Sequence, residues 1–160
     1  YARGMVLLDP LAADDPRAHA LLEEYFQMRA DAFPQGQAYR PVFPAASVFT
    51  PPAGAFLVLV DDDGADAGCG GIRRVEDGPA GVRYEVKHLY LQPRTRGRGW
   101  GRLLLDALEG RARAFGAAEL VLDTHHTLEA AGALYARSGF TAIEPYNDNP
   151  NATRWYGKVL

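Results

Sequence analysis

The sequence predicts a single domain of the α/β (α+β) class, in which a mixed β-sheet carries helices on its faces. Three observations predict this class. The 160 residues, 48% hydrophobic and 23% charged, have the length and composition of one ordinary globular domain, residues 1–160. Short apolar segments separated by turn residues fill much of the first half of the chain, and helical and strand patterns alternate in the second half.

The first helix is predicted over residues 16–30, after a short strand at 5–8. Apolar residues recur at helical spacing in this segment, Pro16 suits a first helical turn, and Asp14 and Asp15 suit the positive end of the helix. The following segment, up to Pro52, is rich in proline and aromatic residues. We expect irregular chain there, which covers the core or forms a wall of a binding site.

An antiparallel meander of three strands is predicted next, at 56–60, 69–75 and 82–91. The run Asp61-Asp62-Asp63-Gly64 has the composition of a hairpin turn, and Gly78-Pro79 indicates the second turn. A calcium-binding loop fails on spacing, because it would need an acid at Leu59 and a glutamate at Gly70. A solvated turn is the better interpretation of the acidic run.

After Pro93 the pattern changes to alternating helices and strands. A helical stripe over 99–115 ends at Gly116, and a strand that is apolar on both faces, as in parallel pairing, occupies 119–123. A short helix around 128–135 closes at Gly139, and the last strands are predicted at 140–143 and 153–159.

Composition also excludes several classes of function. Seventeen basic and 20 acidic side chains give a net charge of −3, which argues against a general nucleic-acid-binding protein. Cys69 is the single cysteine, so the chain has no internal disulfide framework and no multi-cysteine zinc site. The sequence shows no apolar run of membrane-spanning length and no signal-peptide pattern, so we expect no membrane association and a cytoplasmic location.

The basic side chains are concentrated where the last strand of the meander turns into a helix. Four arginines and three glycines share this segment: Arg94, Arg96, Gly97, Arg98, Gly99, Gly101 and Arg102. Free amides at a helix start bind anions, glycines let a phosphate approach the backbone, and arginines add forked hydrogen bonds. A phosphate site is predicted, with a loop of solvated arginines as the alternative. The spacing matches neither a P-loop nor a dinucleotide-binding fingerprint.

The segment Arg96-x-x-Gly99-x-Gly101 resembles the Gln/Arg-x-x-Gly-x-Gly/Ala motif of the GNAT superfamily of acyl-CoA N-acyltransferases. The run Leu-Tyr-Ala-Arg-Ser-Gly-Phe at 134–140 is similar to the family's Leu-Tyr-x-x-x-Gly-Phe, and Glu85 lies eleven residues before Arg96, where many members carry a strand carboxylate. The element order is similar too, and Pro-Tyr-Asn-Asp-Asn-Pro at 145–150 resembles small bacterial members. The resemblance implies a largely antiparallel sheet of six or seven strands flanked by about four helices.

The resemblance further implies coenzyme A, delivered as acetyl-CoA, as the co-substrate. The backbone of Leu89, Tyr90 and Leu91 would pair with the pantetheine arm, and Arg94 would reach the ribose phosphate. The residues implied around the phosphates are Arg94, Arg96, Gly97, Arg98, Gly99, Trp100, Gly101 and Arg102.

Two side chains carry the chemistry that the resemblance implies. Glu85 is the candidate general base, directly or through water, because a desolvated strand carboxylate accepts a proton more readily. The alternative is an exposed glutamate paired with Lys87 on the same strand face. Tyr135 is the candidate general acid for the departing sulfur, and the alternative is a core tyrosine.

The acceptor site is less well defined by the sequence. Candidate contacts are Tyr25, Arg29, His125, Tyr146 and Asn147, with Arg29 or Arg40 suited to a carboxylate on the acceptor. Leu128 stands where the family often has an asparagine, which removes one expected cofactor contact. Adjacent strand residues point to opposite sides, so His125 and His126 do not easily share a metal, and we expect no metal site.

The function predicted is an acetyl-CoA-dependent N-acetyltransferase that transfers the acetyl group directly to a primary amine of a small molecule or peptide. A non-catalytic acyl-CoA-binding or sensing module is the alternative, and a nucleotide-binding regulator is a third hypothesis. A monomer or a homodimer is expected, with neither nucleic acid nor membrane as a partner.

Overall fold

A computed structural model describes residues 5–34, 39 and 41–160. Its centre is a seven-stranded sheet in the spatial order β1-β2-β3-β4-β5-β7-β6. The strands are β1 (Leu7–Pro10), β2 (Gly54–Val60), β3 (Asp66–Gly78), β4 (Gly81–Leu91), β5 (Glu119–Thr124), β6 (Thr141–Ala142) and β7 (Arg154–Val159). The predicted fold class, a mixed and largely antiparallel sheet with helices, is confirmed.

Strands β2, β3 and β4 form the predicted antiparallel meander, and β1 pairs antiparallel with β2. Strand β5 returns parallel to β4, and β7 pairs antiparallel with β5 on its other side. The boundaries differ most in β3, which extends three residues beyond the predicted 69–75 at each end, and they also differ at the two edges of the sheet. Strand β1 begins at Leu7 instead of position 5, and the strand predicted at 140–143 is reduced to Thr141–Ala142. An edge strand has a partner on one side only, so its length depends on where that partner's ladder ends.

Three α-helices occur in the described part of the chain: α1 (Pro16–Ala32), α2 (Trp100–Ala114) and α3 (Glu129–Arg137). Two short 3-10 helices, Ala46–Phe49 and Pro93–Thr95, accompany them, where the resemblance implies about four helices. Helix α1 begins as its sequence predicts, because an Asp15 carboxylate oxygen (Oδ1) accepts the amide of Arg17 at 2.9 Å and Pro16 occupies the first turn.

The core lies on both faces of the sheet. Leu57 and Leu59 of β2 pack in the cluster that contains the apolar stripe of α2. Phe56 and Val58, which alternate with them, pack in the cluster that contains the buried side of α1. The two helices therefore cover opposite faces, and a site at the strand ends lies between them.

The sheet opens between its two parallel strands, β4 and β5, which pair over only part of their length. Register joins Arg83 to Glu119 and Glu85 to Val121, and no pair follows, although β4 continues to Leu91. The carboxyl ends of the two strands diverge and leave a cleft in the middle of the sheet. Ligands in open α/β sheets commonly bind at such carboxyl ends.

Candidate active site

A cavity of about 1450 Å³ occupies the cleft between β4 and β5. Its walls come from β4, the glycine-rich loop, α3, α1 and the segment before β7. It brings together thirteen of the predicted site residues: Tyr25, Arg29, Leu89, Tyr90, Leu91, Arg96, Gly97, Gly99, Trp100, Gly101, Arg102, Tyr135 and Asn147. Residues from five separate parts of the chain therefore share one space.

Strand β4 contains a bulge beside this cavity. Cys69 pairs with Tyr90 and Gly71 with Lys87, so that two residues of β4 lie opposite one of β3. The bulge includes His88, the one described non-glycine residue with a positive φ, at 58°. A bulge leaves its extra residue outside the ladder, so β4 offers unpaired backbone next to the cavity.

The bulge also reverses the alternation of side chains along β4. Val86 packs on the α2 side of the sheet. The His88 ring lies instead on the α1 side, with ring centroids 5.9 Å from Tyr25 and 5.7 Å from Phe26. Burial lowers the pKa of His88 to about 3, and the nearby charges of Lys87 and Arg73 add to this. His88 is a neutral wall residue at physiological pH.

The glycine-rich loop leads directly into the amino-terminal end of α2. Gly97 and Gly99 have φ of 80° and 76°, and Gly99 is the residue that caps the helix. Side chains other than glycine rarely adopt this left-handed region. Within the described chain, no backbone hydrogen bond is made by the amides of residues 97 to 102, and Leu103 donates the first one, to the carbonyl of Gly99. Six amides are thus available at the positive end of a helix dipole.

The arginines of the loop differ in their partners. Arg94 forms an ion pair with Asp61 at 2.8 Å, and Arg98 lies 3.4 Å from an Asp62 oxygen. Arg102 pairs with Asp106 one helical turn further on, at 3.0 Å. The Arg96 side chain forms no ion pair or hydrogen bond with any residue that the structure describes. Among the described residues, Arg96 is therefore the loop arginine without an ion pair or hydrogen bond.

The acidic turn between β2 and β3 is not simply solvated, which corrects the sequence-based interpretation of Asp61. Its side chain is buried, and its Oδ1 accepts the amides of Asp63 and Ala65, both at 2.9 Å. The amide of Ala65 is the main cause that lowers the pKa of Asp61, and Arg94 contributes. Among the described residues, Asp61, Asp62 and Asp63 form the one acidic or histidine-containing group tight enough to hold a metal. Two of the three are already paired with arginines.

Tyr135 lies in α3 with its ring packed against Phe140 and Tyr156, and its side chain is almost fully buried. The hydroxyl has no hydrogen-bond partner in the described part of the chain and lines the cavity. Burial raises its pKa above the usual value, and the neighbouring Tyr25 adds to the effect. The hydroxyl therefore keeps its proton at neutral and mildly alkaline pH.

Glu85 has no exposed surface and does not line the cavity. Arg73 Nε donates to its Oε1 at 2.9 Å, and the hydroxyl of Tyr146 donates to its Oε2 at 2.5 Å. The side-chain amide of Asn147 is 3.5 Å from the same Oε2. The alternative pairing with Lys87 does not occur, because the Lys87 ammonium is bound to Asp123 at 3.1 Å. Glu85 is one layer behind the cavity wall.

Asp123 is a cavity-lining carboxylate that sequence reasoning missed. Its two oxygens accept Lys87 Nζ, the side-chain amide of Asn147 at 2.7 Å and that of Asn149 at 3.1 Å. Burial favours a higher pKa, but the charge of Lys87 and the two amides outweigh it and lower the pKa of Asp123. Its position in the sequence could have identified it. Asp123 lies two positions beyond Val121, the last residue of β5 that pairs with β4, where these two strands separate.

Arg29 stands in the cavity wall on α1 and is 7% exposed. It donates to the Tyr25 hydroxyl at 3.1 Å and to the backbone carbonyl of Asn151 at 2.9 Å. Its guanidinium carbon lies over the rings of Tyr25 and Tyr39, at 5.9 Å and 5.2 Å from their centroids. The side chains of Tyr25 and Arg29 thus contact each other and together form one part of the cavity wall.

Two of the acceptor candidates lie outside the cavity wall. His125 is buried away from the cavity wall, with its ring 5.1 Å from Phe33 and its Nδ1 2.7 Å from Thr127 Oγ1. Tyr146 contacts Glu85 and is outside the wall. Arg40 lies outside the described residues. Of the predicted phosphate residues, Arg94 and Arg98 lie outside the wall, because they turn toward the acidic residues of the β2–β3 turn.

The splayed sheet and the glycine-rich start of α2 together define a fold of the acyltransferase type. The family model described as the acetyltransferase (GNAT) family matches residues 16–140. The chain belongs to the GNAT acetyltransferase family, as the sequence motifs imply. No helix in the described residues is both long and apolar enough to cross a membrane.

Similar proteins carry related names. An uncharacterized N-acetyltransferase of Schizosaccharomyces pombe is 37% identical over 102 residues, which are 64% of this chain and 61% of that protein. The chain thus spans less than two thirds of that relative's length. A candidate acyl-CoA N-acyltransferase from Klebsiella pneumoniae is 28% identical with a TM-score of 0.75, covering 98% of both chains.

A third similarity shows the fold alone. The N-acetylglutamate synthase from Neisseria gonorrhoeae, solved in complex with coenzyme A and N-acetyl-glutamate, is 19% identical to this chain. The TM-score is 0.69, and the match covers 99% of this chain and 36% of that protein.

Proposed function

We propose that the protein is an acetyl-CoA-dependent N-acetyltransferase that acetylates a primary amine of a small molecule or peptide. One observation carries the proposal. Five of the six unpaired amides at the start of α2 belong to residues that line one cavity, and Arg96 and the Tyr135 hydroxyl, which have no polar partner among the described residues, line the same cavity. A pyrophosphate suits the amides, and a thioester reaches from there toward the tyrosine.

The cofactor would bind with its phosphates at residues 96 to 102 and its pantetheine arm along the unpaired end of β4. Anions are favoured at the helix start by its free amides and dipole. Leu89, Tyr90 and Leu91 lie where β4 has lost its partner strand β5, so their backbone is available to a ligand. The coenzyme A complex of the Neisseria synthase, which shares this fold, supports the assignment.

In the proposed reaction the amine nitrogen attacks the thioester carbonyl carbon. The new C–N bond forms as the C–S bond breaks, the nitrogen loses one proton, and the coenzyme A sulfur leaves as a thiolate that takes up one proton. Tyr135 is suited to supply that proton, because burial keeps its hydroxyl protonated and no described residue forms a hydrogen bond with it.

Glu85 is proposed to receive the amine proton through water. Its carboxylate has no exposed surface, so direct contact with an amine is not available. Asn147 lines the cavity, and its side-chain amide contacts Glu85 Oε2. The water that would carry the proton from the amine to Glu85 is therefore proposed to lie beside Asn147. Asp123 is closer to the cavity but its lowered pKa makes it a weaker base, so an electrostatic role suits it better.

Release of free thiol from acetyl-CoA, measured with a panel of primary amines, tests the proposal, with calorimetry of coenzyme A binding alongside. We expect turnover, and a loss of about 10²- to 10⁴-fold in kcat for Tyr135→Phe and Glu85→Gln. The matched controls are Tyr156→Phe, which removes a tyrosine hydroxyl, and Glu119→Gln, which replaces a glutamate carboxylate with an amide. Both side chains lie outside the cavity wall. Coenzyme A binding without thiol release from any amine would instead indicate the non-catalytic binding module.

A further inference from the structure

We propose that the acceptor amine also carries a carboxylate and that Arg29 binds this carboxylate. The inference rests on the proposed transfer reaction and narrows its substrate class to amino carboxylates. Its starting point is a buried cation in the cavity wall that has no anionic partner.

Arg29 has no carboxylate partner among the described residues. Arg29 forms no ion pair with any carboxylate that the structure describes, although its side chain is more than nine-tenths buried. The remaining positions, 1–4, 35–38 and 40, include neither aspartate nor glutamate. A buried charge is costly unless an opposite charge compensates it, so a ligand anion would remove this cost.

The guanidinium is also held in a geometry that suits a carboxylate. It spends two of its hydrogen bonds on the Tyr25 hydroxyl and the Asn151 carbonyl, and the Tyr25 and Tyr39 rings lie near the guanidinium. A guanidinium has five N–H donors, so donors remain for a forked pair of bonds to a carboxylate. Fixing the side chain beforehand reduces the entropy that binding would otherwise cost.

The charge of this end of the cavity points the same way. Three cations, Arg29, Arg73 and Lys87, line it. Arg73 is paired with Glu85 and Lys87 with Asp123, which leaves Arg29 as the surplus positive charge. An anionic acceptor would neutralise this end of the cavity, whereas a purely cationic amine would add to its charge.

Arg29 and the proposed reacting group Tyr135 line the same cavity. Arg29 lies near enough to Tyr135 that its charge opposes the rise in the pKa of that hydroxyl. A hydrogen-bonded chain also connects it to Asp123: Asn151, whose carbonyl Arg29 contacts, donates its amide to Asn149, and Asn149 donates to Asp123. A small amino carboxylate bound through its carboxylate at Arg29 would thus keep its amine inside the cavity that Tyr135 lines.

The test compares L-amino acids with the corresponding L-amino acid amides, which keep the amine and lose the carboxylate charge. Thiol release is measured for wild type, Arg29→Gln, Arg29→Lys and the exposed control Arg113→Gln. We expect the amino acids to exceed their amides in kcat/KM by about 10- to 100-fold, the value of a charge-assisted hydrogen bond. Arg29→Gln should raise KM for the amino acid and abolish this preference, and Arg29→Lys should keep part of it.

Binding of the same amino acids to the coenzyme A-loaded protein, followed by ligand-observed NMR, gives a readout that needs no turnover. Equal use of acids and amides, or an equal loss for both in Arg29→Gln, would overturn the inference and leave the transferase proposal intact. Arg29-dependent binding of amino acids without any thiol release would overturn the transferase proposal and support the carboxylate site. Neither binding nor turnover would reject both.

Discussion

The left-handed conformation of Gly99 gives the sharpest test of the proposed phosphate loop. Gly99 caps α2 at its amino-terminal end with φ of 76°, and a Cβ added there would meet no atom within 4 Å. Gly99→Ala therefore costs only backbone strain, about 1 to 2 kcal/mol for an L-residue in this region. For a domain of this size each kcal/mol lowers the Tm by about 2 to 4 °C.

Gly116, just beyond the other end of the same helix, is the matched control. Its φ is 87°, a Cβ would again meet no atom within 4 Å, and it is outside the cavity wall. Gly116→Ala should lower the Tm by a similar amount. The two variants differ only in whether the strained residue presents amides to the proposed phosphates.

Coenzyme A affinity, measured by calorimetry, separates the two variants. We expect Gly99→Ala to weaken binding by about 10- to 100-fold, because relaxation of the loop misaligns at least one hydrogen bond from a backbone amide to a phosphate. A hydrogen bond to a charged group contributes about 1.5 to 3 kcal/mol. Gly116→Ala should change the Kd by less than about twofold, since only distant strain is added. If both variants lose affinity equally, or if Gly99→Ala binds as wild type does, the assignment of this loop to the phosphates is wrong.

Three further predictions follow from the buried titratable groups. Because the raised pKa of Tyr135 keeps its proton, thiol release by wild type should not decline between about pH 7 and pH 9 through ionisation of this residue; a fall that Tyr135→Phe abolishes would contradict this. Asp123 has a lowered pKa in the native state, so the stability that it contributes is present above its unfolded pKa of about 3.9 and is lost as pH falls through the native value. Asp123→Asn should therefore flatten the acid limb of a plot of unfolding free energy against pH. An unchanged acid limb would refute the pairing of Asp123 with Lys87. Burial raises the pKa of Cys69, so a thiol reagent should not label the native protein at pH 8 but should label it in denaturant, and rapid native labelling would show that the thiol is accessible.

The arrangement of the sheet was largely predictable because its signals are local. Helix α1 is predicted at 16–30 from its apolar stripe and its aspartate cap, and it extends over Pro16–Ala32. Strand β5, apolar on both faces, does lie parallel to β4. The glycine-rich run predicts a loop that leads from a strand into a helix, and the loop with Gly97 and Gly99 does lead into α2. In each case residues adjacent in sequence determine the conformation.

The features that the sequence did not predict depend on contacts between distant segments. The bulge at His88 arises from the register between β3 and β4, which no local pattern specifies. Glu85 is enclosed because Arg73 and Tyr146 arrive from other elements. The acidic residue Asp61 is buried because Arg94, 33 positions away, folds back onto it. Tertiary partners, rather than residue type, decide such positions.

The ion pairs of the loop have a consequence for how salt would affect cofactor binding. Arg94 and Arg98 already pair with carboxylates, at 2.8 Å and 3.4 Å. A phosphate that binds either arginine therefore takes the place of a carboxylate of the protein. Dissolved ions screen both arrangements, so such an exchange cancels much of its own dependence on ionic strength. Arg96, which has no such partner among the described residues, would account for most of the remaining dependence. The affinity for coenzyme A should therefore fall less steeply with added salt than four clustered arginines suggest, and the acidic β2–β3 turn would act as a built-in counterion for the loop.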